Sequence, residues 1–347
     1  MTEPAPQVSE GTGPPPGPWR RTKPWLRRIG GGAITLVIFY YLLRPIVRDW
    51  PEVKAQVARI DLWRFVLAVA MFSALLLFRC GVWRRILRGL GRAVPLRPII
   101  RIWSVSELSR YVPGTIWQVL SRVVMIRPYG VSGPICTTSQ FLELSLFLLA
   151  NVLVAAAALV WFAERIDEQA RVWLLVAAGL APVLAVVVHP AVYYRLANFV
   201  LKKAGRPPLA ERLSGGAMLR LLASMIVALL WQGAAVFLLV QQALMLRPEE
   251  WWVVAAAYSL AWTAGFLAIW APGGLGIREL VFVAAMGAVL PAEARAQLAE
   301  PAALLGFLAV MLRAWVTAGE ILVCGLGYVV DHKGALGRAD APGRAEP

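Results

Sequence analysis

The stretch Trp270-Ala271-Pro272-Gly273-Gly274-Leu275-Gly276-Ile277-Arg278-Glu279-Leu280 decides how this chain is read. It cuts a long apolar region with a proline, three glycines and an adjacent Arg278–Glu279 pair. A helix running into it loses a backbone donor at Pro272 and gains backbone freedom at Gly273 and Gly274, so it breaks there. Inside a bilayer, broken backbone is tolerated only where protein or water satisfies its polar groups. A break followed at once by a charged pair therefore reads as a site, and the surrounding chain as the scaffold that holds it.

The setting is a membrane. Of 347 residues, 59% are hydrophobic and 16% charged, and the mean hydropathy is +0.65. That is too apolar for a soluble domain. Several apolar runs approach the roughly 20 residues that cross a bilayer core. The composition reads as an all-α, polytopic helical membrane protein. The net charge of +15 sits beside the apolar runs, where retained cytoplasmic charge and anionic lipid account for it. No nucleic-acid motif accompanies it, so no nucleic-acid partner is expected. Cys80, Cys136 and Cys324 are scattered, and His189 and His332 stand apart from any acidic or thiol cluster. Neither a metal nor another cofactor is expected.

Taken in order, residues 1–25 read as a disordered cytoplasmic tail, 26–330 as one integral membrane domain, and 331–347 as a second cytoplasmic tail. Spans are expected at Ile29–Val47, Phe65–Val82, Ser139–Phe162, Val172–Val188, Leu219–Leu246 and Ala302–Val330, six in all. The arginine-rich run after the second span fixes the cytoplasmic side, with both termini there and the protein in the inner (plasma) membrane. The segment between Arg48 and Arg64 is expected outside or at the interface, and the one from Ala191 to Arg220 as a cytoplasmic amphipathic stretch.

Pro98–Ile126 and Trp251–Leu290 fit neither pattern. The first is broken at Tyr111-Val112-Pro113-Gly114 and carries Glu107, Arg110 and Arg122. Each reads as a pair of short helices forming a re-entrant hairpin, whose alternative is an amphipathic pair lying on the surface, or for Trp251–Ile269 a full crossing. The charge-derived topology makes the two hairpins enter from opposite faces, an inverted repeat of the kind secondary transporters use.

A helix restarting near Gly276 points its free N–H groups and positive dipole end at the break, which favours an anion. A lipid phosphate is the membrane-borne candidate, with Arg278 as a planar partner and Glu279 in the first turn. The plain alternative is an interhelical salt bridge that only closes the hairpin. Candidate substrate-binding residues are Glu107, Arg110, Gly273, Gly274, Arg278, Glu279 and Arg313. Pro113, Gly114 and Pro272 make the breaks. Trp117, Gln140, Glu143, Trp270 and Glu320 are candidates for the lining of one polar cavity between the hairpins. Trp19, Trp25, Trp50, Trp161, Trp251 and Trp252, near expected span ends, fit interfacial anchoring. No catalytic residue is expected.

The elements Arg110-Tyr111-Val112-Pro113-Gly114 with Trp117-Gln118, then Pro272-Gly273-Gly274-Leu275-Gly276-Ile277-Arg278-Glu279 and the late Leu312-Arg313, resemble the lysylphosphatidylglycerol synthase transmembrane-region family. The resemblance runs over Leu26–Val330 and is to the flippase-like domain of bacterial multiple peptide resistance factors and their stand-alone relatives. It implies a lipid translocase moving a phosphate-bearing, polar-headed lipid through a central cavity. The cargo would be an anionic or aminoacylated phospholipid or a lipid-linked sugar. A separate lipid synthase or glycosyltransferase is an expected partner, and a homo-oligomer an expected assembly. The soluble aminoacyl-transferase domain of the full-length factors has no counterpart before Pro347, so lipid aminoacylation by this chain is not expected. No proline follows Arg313, where many relatives have one. The competing readings are a membrane-embedded glycolipid or polyprenyl-phosphate transferase, which lacks its usual paired aspartates here, and a non-catalytic membrane partner of a lipid synthase.

Overall fold

A computed structural model describes residues 47, 51, 54, 61–109, 116–162, 168–268, 271, 274, 276–289 and 301–331. Among them every regular element is a helix. Residues 1–25 and 332–347, the span expected at Ile29–Val47 apart from Val47, and Arg110, Pro113, Gly114, Trp270, Pro272 and Gly273 lie outside the described residues.

Among the described residues ten α-helices follow one another: α1 (Leu62–Gly89), α2 (Leu96–Leu108), α3 (Ile116–Ile126), α4 (Gly133–Phe162), α5 (Glu168–Val188), α6 (Pro190–Lys203), α7 (Gly215–Val240), α8 (Trp251–Leu267), α9 (Ile277–Val289) and α10 (Pro301–Val330). Their ends follow local chemistry. Helix α1 stops in a Schellman arrangement: Gly91, at φ 76°, donates to the Arg88 carbonyl and Arg92 to the Leu87 carbonyl. Helix α7 starts on Ser214, whose hydroxyl accepts from the Ala217 amide. Prolines occupy the first position of α6 and α10, where a missing N–H costs nothing.

Four of these helices, α1, α4, α7 and α10, are long and apolar enough to cross a membrane, or five spans if the α5–α6 pair, bent by 67°, counts as one. The six expected spans are thus represented by at most five among the described residues. Helix α1 continues seven residues past the expected stop at Val82, because the arginines that follow remain helical and Arg79 is taken into the interior.

Two hairpins complete the fold. In the α2–α3 pair, Gln118 meets Glu107 and Arg122 meets Ser106, so α3 runs back along α2. In the α8–α9 pair, Arg278 lies over Trp262 and Phe282 against Tyr258, the same antiparallel return. At 13 and 11 residues, α2 and α3 reach only about 20 Å and 16 Å, short of the roughly 30 Å hydrocarbon core. With 17 residues, α8 reaches about 26 Å before the chain turns back.

Helices α1 and α7 are the central, antiparallel pair. Gln242 donates to Asp61 and Arg64 to Gln241 at one end, and Trp231 to the Met71 carbonyl in the middle. At the other end Gly89 packs so closely on Leu213 that a Cβ would sit 2.6 Å from Leu213 Cγ. Around this pair, exchanging α1 with α7, α2 with α8, α3 with α9 and α4 with α10 carries the packing onto itself. The contacts α2–α10 and α1–α10 become α8–α4 and α7–α4, and all four are present. Because α1 and α7 are antiparallel, the axis relating the halves lies across the helices. The α2–α3 hairpin therefore enters from the α1 C-terminal end and the α8–α9 hairpin from the opposite end.

Candidate functional site: two buried charge clusters

The first cluster is built by α1, α2, α3 and α4. Arg122 on α3, 2% exposed, is its hub. Its Nη1 donates to Glu143 Oε2 at 2.8 Å, its Nη2 to Glu107 Oε1 at 3.2 Å and its Nε to Ser106 Oγ at 2.9 Å. Gln118 donates a 2.6 Å bond to the same Glu107 oxygen. Glu143 also receives Arg79 Nη2 at 3.3 Å and Trp103 Nε1 at 3.0 Å. Tryptophan rings wall the guanidiniums: Arg122 stands 4.6 Å from the Trp83 ring centre, and Arg79 5.0 Å from that of Trp103. Two carboxylates and two guanidiniums thus balance in a dry setting. Each carboxylate is matched by a guanidinium, and removing one member leaves its partner buried and uncompensated. Gln140 sits one turn before Glu143 on α4 and donates to the Val119 carbonyl and to Cys136 Sγ.

The second cluster lies where α8, α9 and α10 meet. Glu279, in the first turn of α9, accepts a 2.8 Å bond from the Gly276 amide through Oε2, reaching back as the third helical residue of a capping box does. Its Oε1 faces Arg313 Nη1 of α10 at 3.8 Å. Arg278 lies 5.0 Å from the Trp262 ring centre on α8. Tyr258, Phe282, Leu312 and Val316 wall a narrow cleft between Glu279 and Arg313, with room for about one water molecule. Glu320, two turns beyond Arg313, is 3% exposed.

Backbone geometry seats Arg278. Gly274 has φ +70°, a conformation that favours glycine, and a Cβ there would sit 2.7 Å from the Gly265 carbonyl oxygen and 3.0 Å from Arg278 Nε. A Cβ on Gly265 would overlap the Arg278 side chain.

The halves match in plan and differ in sign. On each hairpin, an arginine of the returning helix lies over a tryptophan of the inbound helix: Arg122 over Trp103 at 5.6 Å, Arg278 over Trp262 at 5.0 Å. On each, an ion pair ties the returning helix to the long helix after it. In the first the returning helix supplies the cation (Arg122 to Glu143), in the second the anion (Glu279 to Arg313).

The structure divides the sequence-derived candidates between these clusters instead of gathering them in one cavity. Glu107, Arg122, Glu143 and Gln140 fall in the first, and Arg278, Glu279, Arg313 and Gly274 in the second. Trp117 is 40% exposed at the start of α3. Arg79, Ser106, Trp83, Trp103, Tyr258 and Trp262 were not singled out by sequence. Arg79 reads there as the first of a run of cytoplasmic charges. The available signal was Glu143, an acid within an apolar span that needs a cation. Trp83, Trp103 and Trp315 are fully buried, and none of them is among the tryptophans expected at the interface.

No curated protein matches the chain. The family model for the lysylphosphatidylglycerol synthase TM region matches residues 28–312. With that match across most of its helical domain, the chain belongs to the lysylphosphatidylglycerol synthase TM region family.

Proposed function

We propose that the protein is a lipid translocase, moving a phosphate-bearing, polar-headed lipid between leaflets while the acyl tails stay in the bilayer. The observation that carries this reading is the pair of buried charge clusters, one on each of two hairpins entering from opposite ends. Charges at membrane depth are expensive and are held where a polar cargo or ion must pass. In this reading Arg278 and Arg313 contact phosphate, Glu279 and Glu107 contact cationic or hydroxyl parts of the headgroup, and Arg110 joins them at the first break. The cleft at Glu279–Arg313 opens for the headgroup as that ion pair parts.

The end carrying Arg84, Arg85, Arg88, Arg92 and Arg97 together with Lys202, Lys203 and Arg206 is assigned to the cytoplasm, in the inner membrane, with both termini on that side. An anionic or aminoacylated phospholipid, or a lipid-linked sugar, satisfies the chemistry, and a separate synthase or glycosyltransferase would supply it. The test is reconstitution into liposomes with fluorescent phosphatidylglycerol, following loss of tracer fluorescence to an external quencher. Protein-dependent movement, lost in Arg313→Ala, supports the reading; no movement with or without an ion gradient rejects it.

A further inference from the structure

Between the two clusters lies an aromatic pair. Phe147 on α4 is 2% exposed, and its ring meets that of Trp262 on α8 edge-on, with centroids 4.5 Å apart. Each ring backs onto a guanidinium of a different cluster: Arg79 stands 4.0 Å from the Phe147 centroid and Arg278 5.0 Å from that of Trp262. The route from one cluster to the other along these side chains runs Glu143, Arg79, Phe147, Trp262, Arg278. Its middle is the only apolar step.

Two unsatisfied polar atoms flank that step. Arg79 Nε is buried with no hydrogen-bond partner. On the other side of Phe147, one turn further along α4, Asn151 is 0% exposed. Its Nδ2 donates to the Phe147 carbonyl at 2.8 Å, while its Oδ1 is buried with no partner. Buried polar atoms are almost always paired, and an unpaired one calls for an explanation. Here an orphan donor precedes the ring and an orphan acceptor follows it. Glu143, Phe147 and Asn151 share one face of α4, at four-residue spacing. That face is a polar track interrupted by a single aromatic side chain.

Resting on the translocase reading, we infer that the Phe147–Trp262 pair is the partition a lipid headgroup must displace to pass between the clusters, and that Arg79 and Asn151 receive it on either side. Arg79 Nε offers a donor to a phosphate oxygen. Asn151 Oδ1 offers an acceptor to a headgroup hydroxyl or ammonium. The aromatic pair is well suited to a partition because its rings need only rotate about their side-chain bonds to part, without breaking backbone hydrogen bonds. While closed, it holds the two charged chambers apart.

The experiment uses the full chain in liposomes of phosphatidylethanolamine and phosphatidylglycerol with an acyl-labelled fluorescent phosphatidylglycerol tracer. Phe147→Ala and Trp262→Ala each remove one half of the partition and raise the rate of tracer movement between about two- and tenfold, the range set by one aromatic pair. Phe147→Leu, which keeps apolar volume and guards against a cavity that unfolds the helix, gives a smaller rise in the same direction. Asn151→Leu slows movement while the midpoint of thermal unfolding stays level or rises, because the bond it loses goes to a carbonyl within the same helix and the unpaired Oδ1 is removed with it. Wild-type rates in all three partition variants overturn the partition. A wild-type rate in Asn151→Leu, or slowing with a lowered midpoint, overturns the role of Asn151. Wild-type protein that moves no tracer rejects the translocase reading itself, which separates the two failures.

Discussion

Arg122 and Glu143 join α3 to α4 through a 2.8 Å charge-assisted hydrogen bond, and the corresponding joint of the other half has the charges exchanged. The packing plan is thus repeated while its electrostatics are not. The first joint is fully hydrogen-bonded and sealed by tryptophan. The second is a 3.8 Å ion pair beside a cleft.

Arg122→Ala is expected to cost about 3–5 kcal/mol, since it strands Glu107 and Glu143 in a buried setting. Arg122→Lys recovers little, because one ammonium cannot reproduce three donors aimed at Ser106, Glu107 and Glu143. Thermal unfolding of the purified protein in detergent measures both.

Arg313→Ala is expected to fold and to lose lipid movement by roughly 10- to 100-fold, the worth of one charge-assisted phosphate contact. Its unfolding midpoint shifts less than that of Arg122→Ala, since Glu279 keeps the Gly276 amide as a partner. Paired transport and melting measurements decide between a cargo role and a purely structural one.

Glu279 has two tasks that substitution can separate. Glu279→Gln keeps an oxygen for the Gly276 amide and removes the charge opposite Arg313, whereas Glu279→Ala removes both. The alanine variant is expected to be less stable than the glutamine variant by about 1 kcal/mol, and both to be impaired in lipid movement. A glutamine variant as unstable as the alanine one would show that the ion pair, not the cap, holds α9.

Gly274→Ala is expected to destabilise by about 1–2 kcal/mol from its left-handed backbone alone, with more from the contact to the Gly265 carbonyl. Gly265→Ala instead displaces Arg278 from Trp262, so quenching of tryptophan fluorescence and lipid movement change together.

Sidedness is open to direct measurement. Cysteines placed at the exposed positions Lys203 and Glu249 lie at opposite ends of the molecule, because Lys203 precedes the start of α7 and Glu249 follows its end. In sealed vesicles a membrane-impermeant thiol reagent is expected to label one and spare the other.

The helical membrane class and the hairpin built on each chain break were legible because proline, glycine and runs of apolar residues act locally. Restart of the second hairpin at Ile277 follows from Gly276 and Glu279, three residues apart. The cluster around Arg122 was only half legible. Glu107, Arg122 and Glu143 each stand out as charges in apolar surroundings, but Arg79, which pairs with Glu143, reads as the first of the topology-setting arginines. A charge at a membrane surface and one buried a turn deeper look the same in a linear chain. Only Glu143, 64 residues away, distinguishes them. The division into two clusters was hidden for a related reason: Phe147 and Trp262 are ordinary apolar residues until α4 and α8 are packed together.

Helix α10 is a single 30-residue rod, about 45 Å long, and it serves both halves at once. Near its middle Arg313 faces Glu279, while beyond its end Asp331 takes Arg101 of α2 at 3.4 Å, and Gly327 lies against the Arg101 backbone. A stiff rod cannot swing at one end without answering at the other. A tilt that widens the gap at Arg313 also carries Asp331, further along the same rod, against the foot of the opposite hairpin, so one rigid helix ties the Glu279 contact to the Arg101 contact.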